Sequence, residues 1–290
     1  MNKFLLHPAT FKLDGGAMFG IIPKPLWEKK IKPDNLNRIK MSLRIIYIEI
    51  GDKKVLIDTG IGDYHGEKFS NQFEIQGKQN PINKILKENF DTTCDQITDI
   101  ILTHLHFDHV GGLINKEDQE GLTFPNATIH VHKKHYEYSL SPTLRDSGSF
   151  QSNIFLPLFE KYIAMDSVNF LTEDSGVILN SGSEQIKYKV SFGHTPYMIH
   201  PILDEYIYMA DLVPMAHHLK LPWVMGYDIE PGVTTTYKKK FYDYIIENNL
   251  TMIFEHDIDC WGATLEVNDK KQYSLKKVFT TDNNEVIEII

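Results

Sequence analysis

Residues 98–112 read TDIILTHLHFDHVGG. The apolar run within 98–103, bounded by polar residues, fits a short buried strand. The next segment packs four potential metal ligands, His104, His106, Asp108 and His109, into six residues. If the chain stays extended past residue 103, the strand period of two puts His104, His106 and Asp108 on one side. If it turns into a helix instead, His106 and His109 stand three apart and share a face. Both arrangements aim ligands at one spot. Imidazole and carboxylate at this density suit Zn²⁺ or a similar first-row metal, whereas a loop of solvated histidines would crowd groups that repel one another when protonated. Gly111 and Gly112 then permit close backbone approach where the next helix starts.

Working outward, residues 43–50 (LRIIYIEI) and 54–58 (KVLID) read as two β-branched strands joined by a tight Gly-Asp turn. PINKILKENF at 81–90 has apolar residues at helical spacing. Beyond the histidine cluster, 127–138 reads as a strand passing into a helix, and 150–164 as a helix interrupted at Pro157. Short strands are expected near 177–179, 186–192 and 206–210, then a turn-rich segment at 211–232, a helix near 234–248 and a strand at 250–254. Strands and helices alternate in both halves, which predicts a layered α/β architecture. No linker-like or low-complexity tract divides the chain, so one domain over 1–290 is expected. VLIDTG (55–60) and IYMADL (207–212), both apolar strands ending in Asp, suit two related βα halves at about 1–165 and 166–290.

His-x-His-x-Asp-His after an apolar strand, followed by Gly-Gly, resembles the metallo-β-lactamase superfamily. Four further segments resemble that family's remaining motifs in order: Asp58-Thr59-Gly60, Gly193-His194-Thr195-Pro196, Asp211 closing IYMAD, and Phe254-Glu255-His256-Asp257. The resemblance implies an α/β fold, an αββα four-layer sandwich with two metal ions at one edge of the two sheets. It also implies the ligand sets: His104, His106 and His194 for one metal, Asp108, His109 and His256 for the other, with Asp211 and a hydroxide bridging them. Asp58 would support the metal loop by accepting the free N–H of a ligating His. Two divalent cations against two carboxylates and one hydroxide leave about one net positive charge, which lowers the pKa of bound water toward about 7 and stabilises a forming oxyanion. Asp108 would shuttle the proton.

Within the superfamily, HLHFDHVGG at 104–112, EHDID at 255–259 and WVMGYDIEP at 223–231 look most like the N-acyl-homoserine lactonase and parathion-hydrolase-like members. The implied activity is metal-dependent hydrolysis of a small ester-like substrate, a lactone first. A phosphotriester, phosphodiester or thioester on the same site is the second reading, and a catalytically idle metal-binding relative the third. Two positions depart from the lactonase pattern: Tyr197 stands where Gly commonly follows Pro196, and Pro214 stands where some lactonases carry a Tyr that polarises the substrate carbonyl. His217, His218 and Tyr227 are the candidates for that donor, and Met18, Phe19 and Tyr197 the other candidates for the pocket wall.

The bulk composition fits this expectation. The chain has 290 residues, 13 His, 2 Cys and a formal charge of −9. An acidic balance argues against nucleic acid or an anionic membrane as partner, since those are held by clustered positive charge. Two cysteines cannot form a disulfide framework, and the first residues lack the apolar stretch of a secretory signal, so a cytoplasmic protein is expected. The metals would be zinc, with Mn, Fe or Co also accepted by His and carboxylate, and relatives in this branch often form homodimers. His130, His132 and His135 invite a second metal site, but 130 and 132 alternate along an apparent strand and no acidic residue is interspersed, which reads as core or surface histidine instead.

Overall fold

The structure is a computed structural model describing residues 1–77, 81–115, 121–282 and 284–290. In chain order its strands are β1 (Asn2–Asp14), β2 (Arg38–Ile50), β3 (Lys53–Ile57), β4 (Gln76–Gly77), β5 (Asp99–Ile101), β6 (Thr128–His132) and β7 (Val168–Leu171). The later strands are β8 (Ser175–Ser181), β9 (Glu184–Ser191), β10 (Met198–Leu203), β11 (Tyr206–Tyr208), β12 (Thr251–Ile253), β13 (Cys260–Val267), β14 (Tyr273–Thr280) and β15 (Val286–Ile289). One sheet runs β15-β1-β2-β3-β5-β6-β7, with β4 paired to β1, and the other runs β14-β13-β12-β11-β10-β9-β8.

Strand alternation explains how the sheets stack. In β2, Ile46, Ile48 and Ile50 join Val55, Ile57 and Ile101 in a core shared with Ile199, Ile207 and Met252 of the other sheet. The intervening Ile45 and Tyr47, with Leu56, face the opposite way onto Ile82, Ile85, Phe155 and Phe159 of the helices Pro81–Phe90 and Ser152–Ala164. A strand apolar on both faces is what a sheet covered on both sides requires. The helix Pro231–Glu247 packs against the second sheet, where Phe241 meets His200 at a ring separation of 4.6 Å. Two sheets with helices flanking them make the expected four-layer α/β sandwich.

Three expectations need correction or extension. The helix Ser152–Ala164 continues through Pro157 instead of breaking there. Pro157 and Asn153 are both exposed, so the carbonyl left without a donor lies on a face open to water. The N-terminal strand β1 and the strands after residue 258 went unread. β1 carries Pro8 and a register shift between Leu6 and Ala9, which break its alternation, and β14 has no fully buried residue. Finally, β7 and β15 lie in the first sheet although both come after residue 165.

The strands fix where chemistry can occur. β3, β5, β6 and β7 are mutually parallel, as are β11 and β12. Asp58, the 102–109 segment, Asp211 and His256 therefore all follow the C-terminal ends of strands and meet along one edge, the usual location of ligand sites in α/β sheets.

His200 illustrates how the core constrains a histidine. Ser191 Oγ donates to its Nε2 at 2.7 Å, and its Nδ1–H donates to Tyr208 O at 3.2 Å. That pattern needs a neutral ring. Burial lowers its pKa to about 3, so between pH 6.5 and 3 the unfolded chain binds a proton that the native state does not. The neutral ring's contribution is complete above pH 6.5 and is lost as the pH falls toward 3, roughly 3 kcal/mol by pH 4. Tm measured from pH 7 to 4 should fall less steeply in His200→Leu than in the parent, whatever the variant's Tm at neutral pH; parallel curves would refute this account.

Candidate metal centre

The segment after β5 is irregular from 102 to 106 and then forms the short helix Phe107–Val110. Extended chain through His104 and His106, followed by one helical turn through Asp108 and His109, combines the two arrangements read from the sequence. Close backbone approach holds it in place: a Cβ on Gly111 would stand 2.1 Å from Ile61 O, and one on Gly193, where φ is +114°, 2.3 Å from Thr234 N. Neither position accommodates a side chain.

His104 Nε2 lies 3.1 Å from His106 Nδ1, which lies 3.2 Å from His194 Nε2. Asp211 Oδ2 stands 3.1 Å from His194 Nε2 and 3.8 Å from His104 Nε2. A tetrahedral ion with bonds of 2.0–2.1 Å sets its ligand atoms about 3.3 Å apart, so these four atoms have the spacing of one coordination shell. A wider set adjoins it. His256 Nε2 is 3.1 Å from Asp211 Oδ1 and 3.7 Å from Asp108 Oδ2, and His109 Nε2 is 3.8 Å from Asp211 Oδ2 and 3.9 Å from Asp108 Oδ1. Asp211 belongs to both sets, and all seven residues are buried.

The electrostatics suit a bound cation. Burial and the neighbouring imidazoles push His104 and His106 well below the usual histidine range. Burial opposes protonation of His194 and His256 as well, but Asp211 and Asp228 raise the first to about 10, and Glu255 with Asp211 raises the second to about 9. His109 Nε2 is buried without a hydrogen-bond partner among the described residues, its nearest carboxylate oxygens standing 3.8 and 3.9 Å away, a costly state for a polar atom. Converging lone pairs of imidazole and carboxylate are the donor set a divalent first-row metal takes.

A surrounding layer of polar groups aims those lone pairs. His109 Nδ1 faces Asp58 Oδ2 at 3.0 Å, and Asp58 also accepts from Thr103 N and Oγ1 at 2.8 and 2.7 Å. His256 Nδ1–H donates to Ser42 O at 2.9 Å. His194 Nδ1–H donates to Asp228 Oδ1 at 3.0 Å. Asp58 was expected here; Asp228 was not, because no local pattern ties it to a histidine 34 residues earlier. Glu255 precedes His256 in its motif and was not expected to act here. Its Oε2 lies 3.3 Å from His109 Nδ1, and His109, Asp211, Glu255 and His256 form an alternative four-ligand group. Glu255 faces the ring nitrogen turned toward Asp58, whereas Asp108 faces the inward Nε2 atoms, so Asp108 is the better placed of the two.

A cavity of about 200 Å³ opens onto the cluster, walled by Leu13, Met18, Phe73, Phe107, Met225 and Tyr227. Met18 and Tyr227, two of the candidates for the pocket wall, line this cavity. Phe19, Tyr197, His217 and His218 do not line it. Phe19 is held between Trp27 and His218, with ring separations of 5.3 and 4.8 Å. His218 spends its Nε2–H on Met18 O at 2.8 Å, and His217 is half-buried off the wall. Tyr197 stacks on His132 at 4.7 Å and accepts from Lys134 Nζ at 3.2 Å. His130 is engaged elsewhere: it donates to Asp99 at 2.8 Å and accepts from Asn169 at 2.9 Å.

The sequence model described as the metallo-beta-lactamase superfamily matches residues 44–256. The chain belongs to this superfamily. Solved structures agree on the fold. A probable metal-dependent hydrolase from Staphylococcus aureus is 24% identical, with a TM-score of 0.82 and 97% of each chain covered. AidC, a dizinc quorum-quenching lactonase, is 20% identical, with a TM-score of 0.72 over 96% of this chain and 95% of its own. The hydrolase AbOPH is 21% identical, with a TM-score of 0.71 over 94% and 92%. No curated protein matches the chain. In this superfamily member no helix among the described residues is long and apolar enough to cross a membrane.

Proposed function

We propose that this chain is a dinuclear metal-dependent hydrolase acting on small, neutral, ester-like substrates, with a lactone as the leading class. Superfamily membership and the donor set support the hydrolase. The cavity supports the substrate class: its wall is mainly apolar, and among the described residues no Lys or Arg lines it, so apart from the metal site itself no cationic side chain there would hold an anionic substrate group.

His104, His106, His194 and Asp211 would hold one ion, and Asp108, His109, His256 and Asp211 the other, with zinc the first candidate. When bound, such ions polarise a carbonyl and make water nucleophilic near neutral pH. Asp58 and Asp228 keep the protons of His109 and His194 on the outward nitrogens. Asp108, on the cavity wall and 3.7 Å from His256 Nε2, is placed to take a proton and pass it to the leaving oxygen. Burial, with Asp14 and Asp108 nearby, raises Tyr227 to about 12. Its phenol therefore stays protonated at neutral pH and can donate to a substrate oxygen, the role that Pro214 cannot fill.

The deciding measurement is kcat/KM of the metal-loaded protein on lactones, phosphotriesters, phosphodiesters and thioesters of matched size. A lactone should lead by at least about tenfold and fall back in Tyr227→Phe. A lead for another class would replace the lactone while keeping the metal reading, and silence across the panel with metal bound would remove the hydrolase.

A further inference from the structure

His135 lies outside the family motifs, yet it touches two of the segments that carry them. It sits on the helix Lys133–Ser139 immediately after β6 and is fully buried. Leu105 N–H, between His104 and His106, donates to its Nε2 at 2.9 Å. Its Nδ1–H donates to Pro196 O, two residues past His194, at 2.7 Å. One ring thus spans the segment delivered by the first sheet and the turn between β9 and β10 of the second. Besides it, the backbone bond Ile199 N to Thr103 O at 2.9 Å crosses the same gap.

We infer that His135 is a positioning residue for the His104, His106 and His194 cluster, fastening the two ligand-bearing loops at the separation one metal ion needs. The directions of the two bonds select the side chain. A backbone N–H can only donate and a carbonyl can only accept, so the bridging side chain must present an acceptor to Leu105 and a donor to Pro196 at once. Neutral imidazole in its Nδ1–H tautomer does this, and the two nitrogens lie on opposite sides of one rigid ring. Packing alone would not require it: the ring's apolar neighbour, Phe150, stands 5.8 Å away in a tilted contact that a phenyl group would also make. His104 and His106 flank the bonded Leu105 directly, so a slack Leu105 would shift both donor nitrogens, now 3.1 Å apart.

The inference rests on the reading that this cluster holds metal, and zinc titration of the parent protein against a chelator tests that reading first. A parent that takes up no zinc would remove the metal reading itself. Given binding, His135→Phe keeps the ring and loses both bonds, while His135→Gln keeps one donor and one acceptor. Zinc affinity should fall about 10- to 100-fold in the Phe variant, the range seen when groups that orient metal ligands are removed, and Gln should recover part of it. Parent-like affinity in His135→Phe, or a Gln variant no better than Phe, would overturn the proposal. A nitrogen-15 spectrum of the parent checks it without any variant: His135 must carry its proton on Nδ1, and a proton on Nε2 would also overturn it.

Discussion

Asp211→Asn is expected to abolish zinc-dependent stabilisation and to lower kcat/KM by more than about 100-fold, beyond the range for losing a group that merely orients a ligand. The size of the effect follows from position. One carboxylate faces four imidazoles, with Oδ2 at 3.1 Å from His194 Nε2 and 3.8 Å from those of His104 and His109, and Oδ1 at 3.1 Å from His256 Nε2. An amide keeps the shape but has a lone pair at only one end, so it cannot serve both ligand sets. It also removes the negative charge that draws cations between converging histidines. Thermal unfolding with and without zinc separates the metal effect from folding. Ligand binding raises the parent's Tm by mass action, and the variant should show little or no rise while its metal-free Tm stays within a few degrees. A variant that keeps the zinc-induced rise would show that Asp211 is not shared between two ions.

The centre was legible in the sequence because its donors stand at short covalent spacings or close a strand. His104, His106, Asp108 and His109 fall within six residues, and Asp58, Asp211 and His256 each follow a strand whose apolar run marks where the chain reaches the sheet edge. Asp228 and His135 were not legible. Each acts on residues at least 30 positions away, Asp228 through one hydrogen bond and His135 through two, and only the folded geometry makes those pairs. The pocket was read in part for a related reason. Met18 and Tyr227 reach it, but the neighbouring Phe19 and Tyr197 found better partners in Trp27, His218 and His132. Which face of a loop turns inward is decided by packing competition, which a linear pattern does not record.

Asp58 should divide stability from metal binding according to how it is replaced. Its carboxylate is fully buried at a φ of +57°, a conformation that Asp and Asn tolerate better than Ala. Asp58→Ala strands Thr103 N–H and its hydroxyl, so a stability loss of about 3 kcal/mol or more is expected. Asp58→Asn should cost far less, because Oδ1 still accepts from Thr103 N and the hydroxyl can turn to accept from the new amide. The amide cannot, however, accept from His109 Nδ1–H. The ring then does best with its proton on Nε2, the atom 3.8 Å from Asp211 and 3.9 Å from Asp108, where a proton blocks metal binding. Glu255 Oε2, 3.3 Å from the same Nδ1, is the remaining group able to hold the original tautomer. Elemental analysis of Asp58→Asn should therefore show fewer than two ions per chain at near-parental Tm, with activity down by up to about 10⁴-fold, the scale seen when a carboxylate that fixes a catalytic histidine's tautomer becomes an amide. Asp58→Asn combined with Glu255→Gln should complete the loss. Two tightly held ions in the double variant would mean that His109 keeps its orientation without either carboxylate, and Asp58 would then be a fastening of the loop alone.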